Sequence, residues 1–275
     1  MTMLDVGQGD GIYLHTPGRR NILIDGGSTS EKQVGKYRIL PFLKSRGIRQ
    51  IDYMIATHAD EDHINGLAEL LNMSGDGYHI RQLLLPDVAD KDQSGYVLLR
   101  KAAKQKQISV RYLSTGSCFQ SGGVSFVCLN PAAGSSFDSA NAESITLSMQ
   151  YQNFSCLFTG DLEGAGEEAL QDIINSARTR QTYHIPEHYT ILKVAHHGSK
   201  NSTDEELLNR LNPEYALISC GRKNRYGHPH RELLERLASS GADIRRTDES
   251  GALSVILRNG TPCLTGYLDN LAKNK

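Results

Sequence analysis

Residues 57–63 read Thr57-His58-Ala59-Asp60-Glu61-Asp62-His63, and this stretch decides the fold. Before it, Ile51–Thr57 has the apolar and β-branched content of a buried strand. After it, Ile64–Met73 has the apolar spacing of a helix. The imidazoles of His58 and His63 and the carboxylates of Asp60 and Asp62 therefore crowd one strand-to-helix turn, where alternate side chains converge on a point. Imidazole suits zinc, iron or manganese, and carboxylate suits harder ions, so the mixture favours a divalent transition metal. The plain alternative is a helix cap, with Asp60 or Asp62 accepting backbone N–H bonds ahead of Ile64. A cap needs one such side chain, not four.

Working outward, short strands at Thr2–Val6, Gly11–His15 and Asn21–Asp25 precede this turn, broken by Gly7-Gln8-Gly9 and Pro17-Gly18. A helix is expected across Lys32–Arg46. Beyond the turn, Gln82–Leu85 and Ser109–Leu113 read as strands around a Ser94–Gln107 helix. Cys118–Phe119, Val124–Leu129, Ile145–Tyr151 and Ser155–Thr159 read as a meander. Helices are expected at Glu163–Asn175, Thr203–Leu211 and Arg231–Ser239, and strands at Ile191–Ala195, Ala216–Cys220, Asp243–Thr247 and Ser254–Leu257. Each half is strand-rich and then alternates strand and helix. Two mixed sheets packed face to face, with helices outside, satisfy this pattern: an α/β fold of the four-layer αββα sandwich type. The chain reads as a single domain over residues 1–275, with the polar stretch 176–188 expected to be an irregular insertion.

The composition is that of an ordinary globular chain, 39% hydrophobic and 22% charged, with enough length to bury a sizeable core. No run of 18 apolar residues exists, so this chain is not expected to span a membrane itself. Its start reads straight into a strand, as the cut edge of a longer protein would. A net charge of −1 offers no global attraction to nucleic acid, but Gly221–Arg231 carries Arg222, Lys223, Arg225 and Arg231 without an acid. The five cysteines lack metal spacing; three lie in apolar runs and read as buried thiols.

The pattern His-x-Asp-x-Asp-His resembles the His-x-His-x-Asp-His signature of the metallo-β-lactamase superfamily, with Asp60 in place of the second histidine. Leu4-Asp5-Val6-Gly7-Gln8-Gly9-Asp10 and Leu23-Ile24-Asp25-Gly26-Gly27 look like the family's opening strands. Phe158-Thr159-Gly160-Asp161-Leu162 looks like its strand ending in a metal-bridging aspartate. Lys193-Val194-Ala195-His196-His197-Gly198-Ser199 and Arg225-Tyr226-Gly227-His228-Pro229-His230 narrow the match to the metallo-β-lactamase domain of the ComEC family of DNA-uptake proteins.

The resemblance implies two divalent metal ions and no organic cofactor. One ion would sit on His58, Asp60 and Asp161, the other on Asp62, His63, Asp161 and one histidine of the His196-His197 pair, with His196 favoured. The usual extra histidine between the first motif and Asp161 is missing; His79, the sole histidine there, lies in a polar turn. With more carboxylate than usual, manganese stands beside zinc as the expected metal. Asp25 and Asp10 would orient ligands from behind, Gly26 and Gly27 would serve backbone geometry, and Asn141 and Ser144 resemble a family Asn-x-x-Ser at the site mouth.

Two neighbouring cations activate water and neutralise charge on a phosphate. The expected reaction is attack of water on phosphorus in line with the leaving oxygen, with His197, His228 or His230 donating the proton. Ser199, Arg222, Lys223, Asn224, Arg225 and Tyr226 are the expected substrate contacts, the cations meeting phosphates and Tyr226 stacking on a base. Gly198 would permit close approach of substrate. The expected substrate is DNA, in single strands, degraded during uptake at the extracytoplasmic face of the membrane beside channel domains of the same protein; otherwise the chain would be cytoplasmic. Two alternatives stay open: a small-substrate phosphodiesterase such as a phosphorylcholine esterase, and a non-catalytic DNA-binding or gating module. Asp60 departs from the pattern of β-lactam hydrolysis.

Overall fold

A computed structural model describes residues 1–75 and 77–269. One eight-stranded sheet runs, edge to edge, through Thr261–Gly266, Leu253–Arg258, Thr2–Met3, Ile12–His15, Asn21–Ile24, Tyr53–Ile55, Gln82–Pro86 and Ser109–Leu113. A seven-stranded sheet runs through Asp243–Arg246, Tyr215–Ile218, Ile191–Lys193, Phe154–Phe158, Thr146–Tyr151, Val124–Asn130 and Cys118–Ser121. Both mix parallel and antiparallel pairs. The sheets pack face to face, so the expected αββα sandwich is the observed fold.

Side-chain alternation builds the layers. Along Asn21–Ile24, Ile22 and Ile24 point between the sheets, where they meet Phe126, Leu147, Cys156 and Phe158. Leu23 points outward and packs with Leu67, Leu71 and Leu99 from the helices Glu61–Met73 and Ser94–Gln105. On the other sheet, Leu157 and Leu192 point outward against Leu170, Leu207 and Leu233 from the helices Ala165–Asn175, Glu205–Leu211 and Arg231–Ser239. Each such fully buried side chain contributes about 1.5–3 kcal/mol, and this apolar mass supports a crowd of acids at one edge.

That edge is where parallel strands end. Tyr53–Ile55, Phe154–Phe158, Ile191–Lys193 and Tyr215–Ile218 all run the same way within their parallel pairings. Their carboxyl ends release the segments carrying His58, Asp161, His196-His197 and Ser219, the usual location of a site in α/β sheets.

Several expected boundaries move. The Thr2–Val6 strand is paired only over Thr2–Met3. The Lys32–Arg46 helix begins as a π-helical turn, Gly35–Ile39, before the α-helix Leu40–Ser45. The polar stretch 176–188 is not irregular throughout: it carries the helix Ala177–Tyr183, capped by Ser176, whose hydroxyl accepts from Thr179 N. The strand Thr261–Gly266 was not expected; its exposed alternation lacks a continuous apolar run. No helix among the described residues is long and apolar enough to cross a membrane.

Candidate metal centre

The Thr57–His63 turn is held from behind by Asp25. Its carboxylate accepts Thr57 N and Thr57 Oγ1, both at 2.8 Å, and pairs with His63 Nδ1 at 2.9 Å. Asp62 and His63 open the helix Glu61–Met73. The opening loop presses directly on them: a Cβ on Gly27 would lie 2.3 Å from the Asp62 carbonyl carbon, and one on Gly9 would lie 2.5 Å from Asp62 O. Both positions therefore require glycine. From the second sheet, Asp161 N donates to Ser144 Oγ at 3.2 Å, and the His196-His197 pair leaves its strand with both residues in the left-handed backbone region, at φ 49° and 53°. Consecutive non-glycine residues there store strain, of the kind kept at functional sites.

These elements bring His58, His63, His197 and Asp161 together, all buried. His63 Nε2 lies 3.2 Å from Asp161 Oδ1; His197 Nε2 lies 3.3 Å from Asp161 Oδ2 and 3.4 Å from Asp62 Oδ2. Asp60 Oδ2, on the open side, is 3.7 Å from His58 Nε2. Each buried imidazole is anchored through Nδ1: His58 to Thr57 Oγ1 at 3.1 Å, His63 to Asp25, and His197 to Ser219 O at 3.0 Å. Among the described residues, their Nε2 atoms and Asp161 Oδ1 have no hydrogen-bond partner. Buried polar atoms are normally satisfied. Lone pairs left free and convergent, each on a ring oriented from behind, are the chemistry of metal ligands. His58, His63 and Asp161 form one group whose ligand atoms lie within 4.8 Å of one another, and Asp62, His63 and His197 form another.

The electrostatics demand positive charge. Burial pushes His58 down to about 3, with His63 adding to the effect, so it is a neutral donor at pH 7. Burial also opposes charge on His63 and His197, yet Asp161, with Asp25 or Asp10, holds both well above the usual histidine range. Asp161 is itself held well below the usual carboxylate range by His197 and His63, against the effect of burial. The residues fit a pair of divalent cations, for which protons on these rings are the substitute.

Residues 4–130 match the model of the metallo-beta-lactamase superfamily, and the sandwich with its centre at the strand ends agrees. This is a metallo-β-lactamase fold. ComE operon protein 3 of Bacillus subtilis (strain 168) is 34% identical over 278 residues, covering 96% of this chain and 34% of that protein. Competence protein ComA of Neisseria gonorrhoeae is 30% identical over 260 residues, covering 94% of this chain and 32% of that protein. The chain spans about a third of the length of these curated relatives. Among solved structures, the metallo-beta-lactamase fold protein YhfI from Bacillus subtilis superposes with a TM-score of 0.58, covering 92% of this chain and 98% of that one at 10% identity, which speaks to fold alone. The resemblance to the superfamily, near the competence proteins, is borne out, and the chain carries a candidate metal site within that fold.

Within the metallo-β-lactamase fold, the histidine pair reverses the expected order. His197 is the buried one that faces Asp62 and Asp161, whereas His196 is 26% exposed, with Nε2 3.9 Å from Asp161 Oδ2. The left-handed turn rotates His197 inward and leaves His196 at the rim. There its Nδ1 pairs with Glu163 Oε2 at 2.9 Å, and Glu163 Oε1 accepts from Asn141 Nδ2 at 2.9 Å. His197 is thereby removed from the candidate proton donors. Asp10 and Asp25 stand behind the ligands, Ser144 supports Asp161 from its backbone side, and Asn141 lies at the rim on Glu163.

The expected substrate contacts divide. Ser199 is buried and its hydroxyl accepts Asn201 N at 3.2 Å, so it shapes the turn instead of facing substrate. Gly198 does not open a path either: a Cβ there would lie 2.5 Å from Pro229 Cβ. Asn224 braces its own loop, donating to Gly221 O at 2.9 Å and His228 O at 2.6 Å and accepting His228 N at 2.9 Å. Arg222, Lys223, Arg225 and Tyr226 remain exposed, with Arg222 Nε donating to Asp248 O at 2.6 Å and Arg225 lying over the Tyr226 ring at 4.9 Å. The Tyr226 ring stacks on His228 at 5.7 Å, and His228 lies 5.4 Å from His196. His230 Nδ1 accepts Lys200 N at 3.0 Å, which leaves the ring proton on Nε2. Sequence reasoning missed three supports: Glu163, Lys193, and Gln8, whose Oε1 accepts Gly221 N at 3.1 Å. For Lys193 a signal existed, a lone charge within the apolar run Ile191–Ala195.

Proposed function

We propose that the chain is a binuclear metal-dependent phosphodiesterase that cleaves DNA, acting on single strands during uptake. One observation carries this reading. Four buried ligand atoms without partners converge at the strand ends, beside an exposed loop that offers cations and an aromatic ring and no acid. The likeness to a protein named for competence supports the setting, and the greater length of the relatives leaves room for the channel domains expected as partners.

His58, Asp60 and Asp161 would hold one divalent ion, Zn or Mn; Asp62, His63, His197 and the shared Asp161 would hold the other. When bound, such a pair lowers the pKa of water and neutralises charge on phosphate oxygens. The protein does the rest. His196, fixed by Glu163 and Asn141 at the rim, contacts a phosphate oxygen. His228, pushed down to about 4 by burial and by His197 and His196, stays neutral and offers one N–H to a phosphate oxygen. His230 holds its proton at Nε2 for the leaving oxygen. Lys223 and Arg225 meet backbone phosphates, and Tyr226 gives a stacking platform.

The test is incubation of the purified chain with end-labelled single- and double-stranded DNA, with Mn²⁺, Zn²⁺ or EDTA. Metal-dependent ladders, lost in Asp62→Ala, are expected. Turnover of bis-p-nitrophenyl phosphate without DNA cleavage would replace this reading with a small-substrate esterase. DNA binding without turnover under every metal would replace it with a binding module.

A further inference from the structure

Lys193 ends its strand on the side of Ile191, which packs between the sheets, so the charged side chain is directed inward. It is 1% exposed, as is Asp10. Oxygens enclose its ammonium. It donates to Gly160 O at 2.7 Å, pairs with the Asp10 carboxylate, and lies 3.6 Å from Asp161 Oδ1. A buried ammonium without partners would lose its charge; here burial is outweighed by Asp10 and Asp161, which raise Lys193 above the usual lysine range. Its ion pair with Asp10 and its bond to Gly160 O place a cation at the floor of the centre.

The oxygens around it are ones a metal would use. Asp10, Asp161 and His197 form a group with ligand atoms within 4.8 Å of one another, and Asp10, Asp25 and His63 form another. Both are fully buried, and both need Asp10, which neither group assigned above uses. The fold thus gathers more carboxylate than two cations require, and the surplus carboxylate is the one paired with Lys193. A lysine ammonium is a compact point charge with three donors, the nearest a side chain comes to a small bound cation.

We propose that Lys193 is a resident cation of the centre: its ammonium, neutralised by Asp10, fills an oxygen cage that would otherwise take a further metal ion, and so confines metal binding to two positions. This rests on the binuclear reading. It makes Lys193 and Asp10 positioning residues with opposite single-variant phenotypes. Without Lys193, the cage of Asp10, Asp161 and Gly160 oxygens is open to a cation. Without the Asp10 charge, the ammonium keeps Asp161 as its nearest counter-ion and would oppose the metals through that carboxylate.

The experiment counts Mn²⁺ by elemental analysis after gel filtration and measures its affinity by titration followed by electron paramagnetic resonance. Four proteins are compared: wild type, Lys193→Met, Asp10→Asn and the double variant. Wild type is expected to hold two equivalents, Lys193→Met a third, and the double variant two. Asp10→Asn should bind at least about tenfold more weakly, and adding Lys193→Met to it should restore the affinity. Loss of packing alone would not produce that restoration. Lys193→Met holding two equivalents at wild-type affinity overturns the proposal. Should Lys193→Met fail to fold, Asp10→Asn at wild-type affinity, or a double variant no tighter than Asp10→Asn, overturns it. Fewer than two equivalents on wild type sinks the binuclear reading instead, and the Asp10→Asn comparison then still decides whether Lys193 opposes metal.

Discussion

Asp25 shows how a residue behind the proposed ligands governs their placement. By accepting Thr57 N, Thr57 Oγ1 and His63 Nδ1 it fixes both the turn and the ring that project into the centre. Asp25→Asn keeps the shape but cannot accept from all three with the same strength, so metal affinity should fall about 10–100-fold by calorimetric titration; unchanged affinity would remove Asp25 from this role. The adjacent histidines separate in the same kind of measurement. His197→Ala deletes a buried Nε2 that faces Asp62 and Asp161. It should cost a bound ion by elemental analysis, whereas His196→Ala should retain both and slow turnover. The opposite pattern would restore the order expected from sequence. The structure departs from that order for a local reason: past the end of the strand, two left-handed residues turn the chain. The ligand types in Thr57–His63 were legible because they crowd one turn, while Glu163 and Gln8 were not, since a lone Glu or Gln on a loop carries no pattern.

Between elements, the helix Ala165–Asn175 meets the start of the helix Glu205–Leu211 through Glu167, which accepts Thr203 N and Asp204 N, both at 2.7 Å. Burial pushes its carboxyl from the ordinary 4.5 up to about 7, against those two bonds. Across that interval the folded chain binds a proton that the unfolded chain releases. The stabilisation is therefore complete below pH 4.5 and is lost as pH rises through about 7, worth up to roughly 3 kcal/mol. Glu167→Gln fixes a neutral side chain, so its urea midpoint should vary less than that of wild type between about pH 5 and about pH 8. Parallel curves would show that Glu167 does not titrate there. The opening loop offers a steric counterpart. Gly27→Ala places a Cβ against Asp62 and His63 backbone that cannot give way, and should cost metal binding together with about 1–3 kcal/mol of stability; wild-type values for both would show that the loop can yield.

At the scale of the molecule, the centre is a fastening between two sheets. His58, Asp60, Asp62 and His63 come from the eight-stranded side, and Asp161 and His197 come from the seven-stranded side, with Ser219 Oγ donating to Gly9 O at 2.7 Å across the same gap. Metal bound there should stabilise the sandwich as a whole. At a concentration about 100-fold above its Kd, one ion is worth about 2.7 kcal/mol, a rise in Tm of about 5–10 °C for a chain of this size. Chelation should reverse it in a calorimetric scan, and an unchanged Tm would show that the sheets need no metal. The sequence by itself determined the layer architecture, the family and most of the residues that meet at the candidate centre. Alternation and short spacing are local, and they survive without knowledge of the fold. Only the tertiary structure decided which histidine of the pair faces inward, that Ser199 and Asn224 shape loops, and that Lys193 lies among the acids. Those outcomes depend on backbone rotation beyond the strand ends and on side chains that meet across the two sheets, neither of which leaves a periodic trace in one chain.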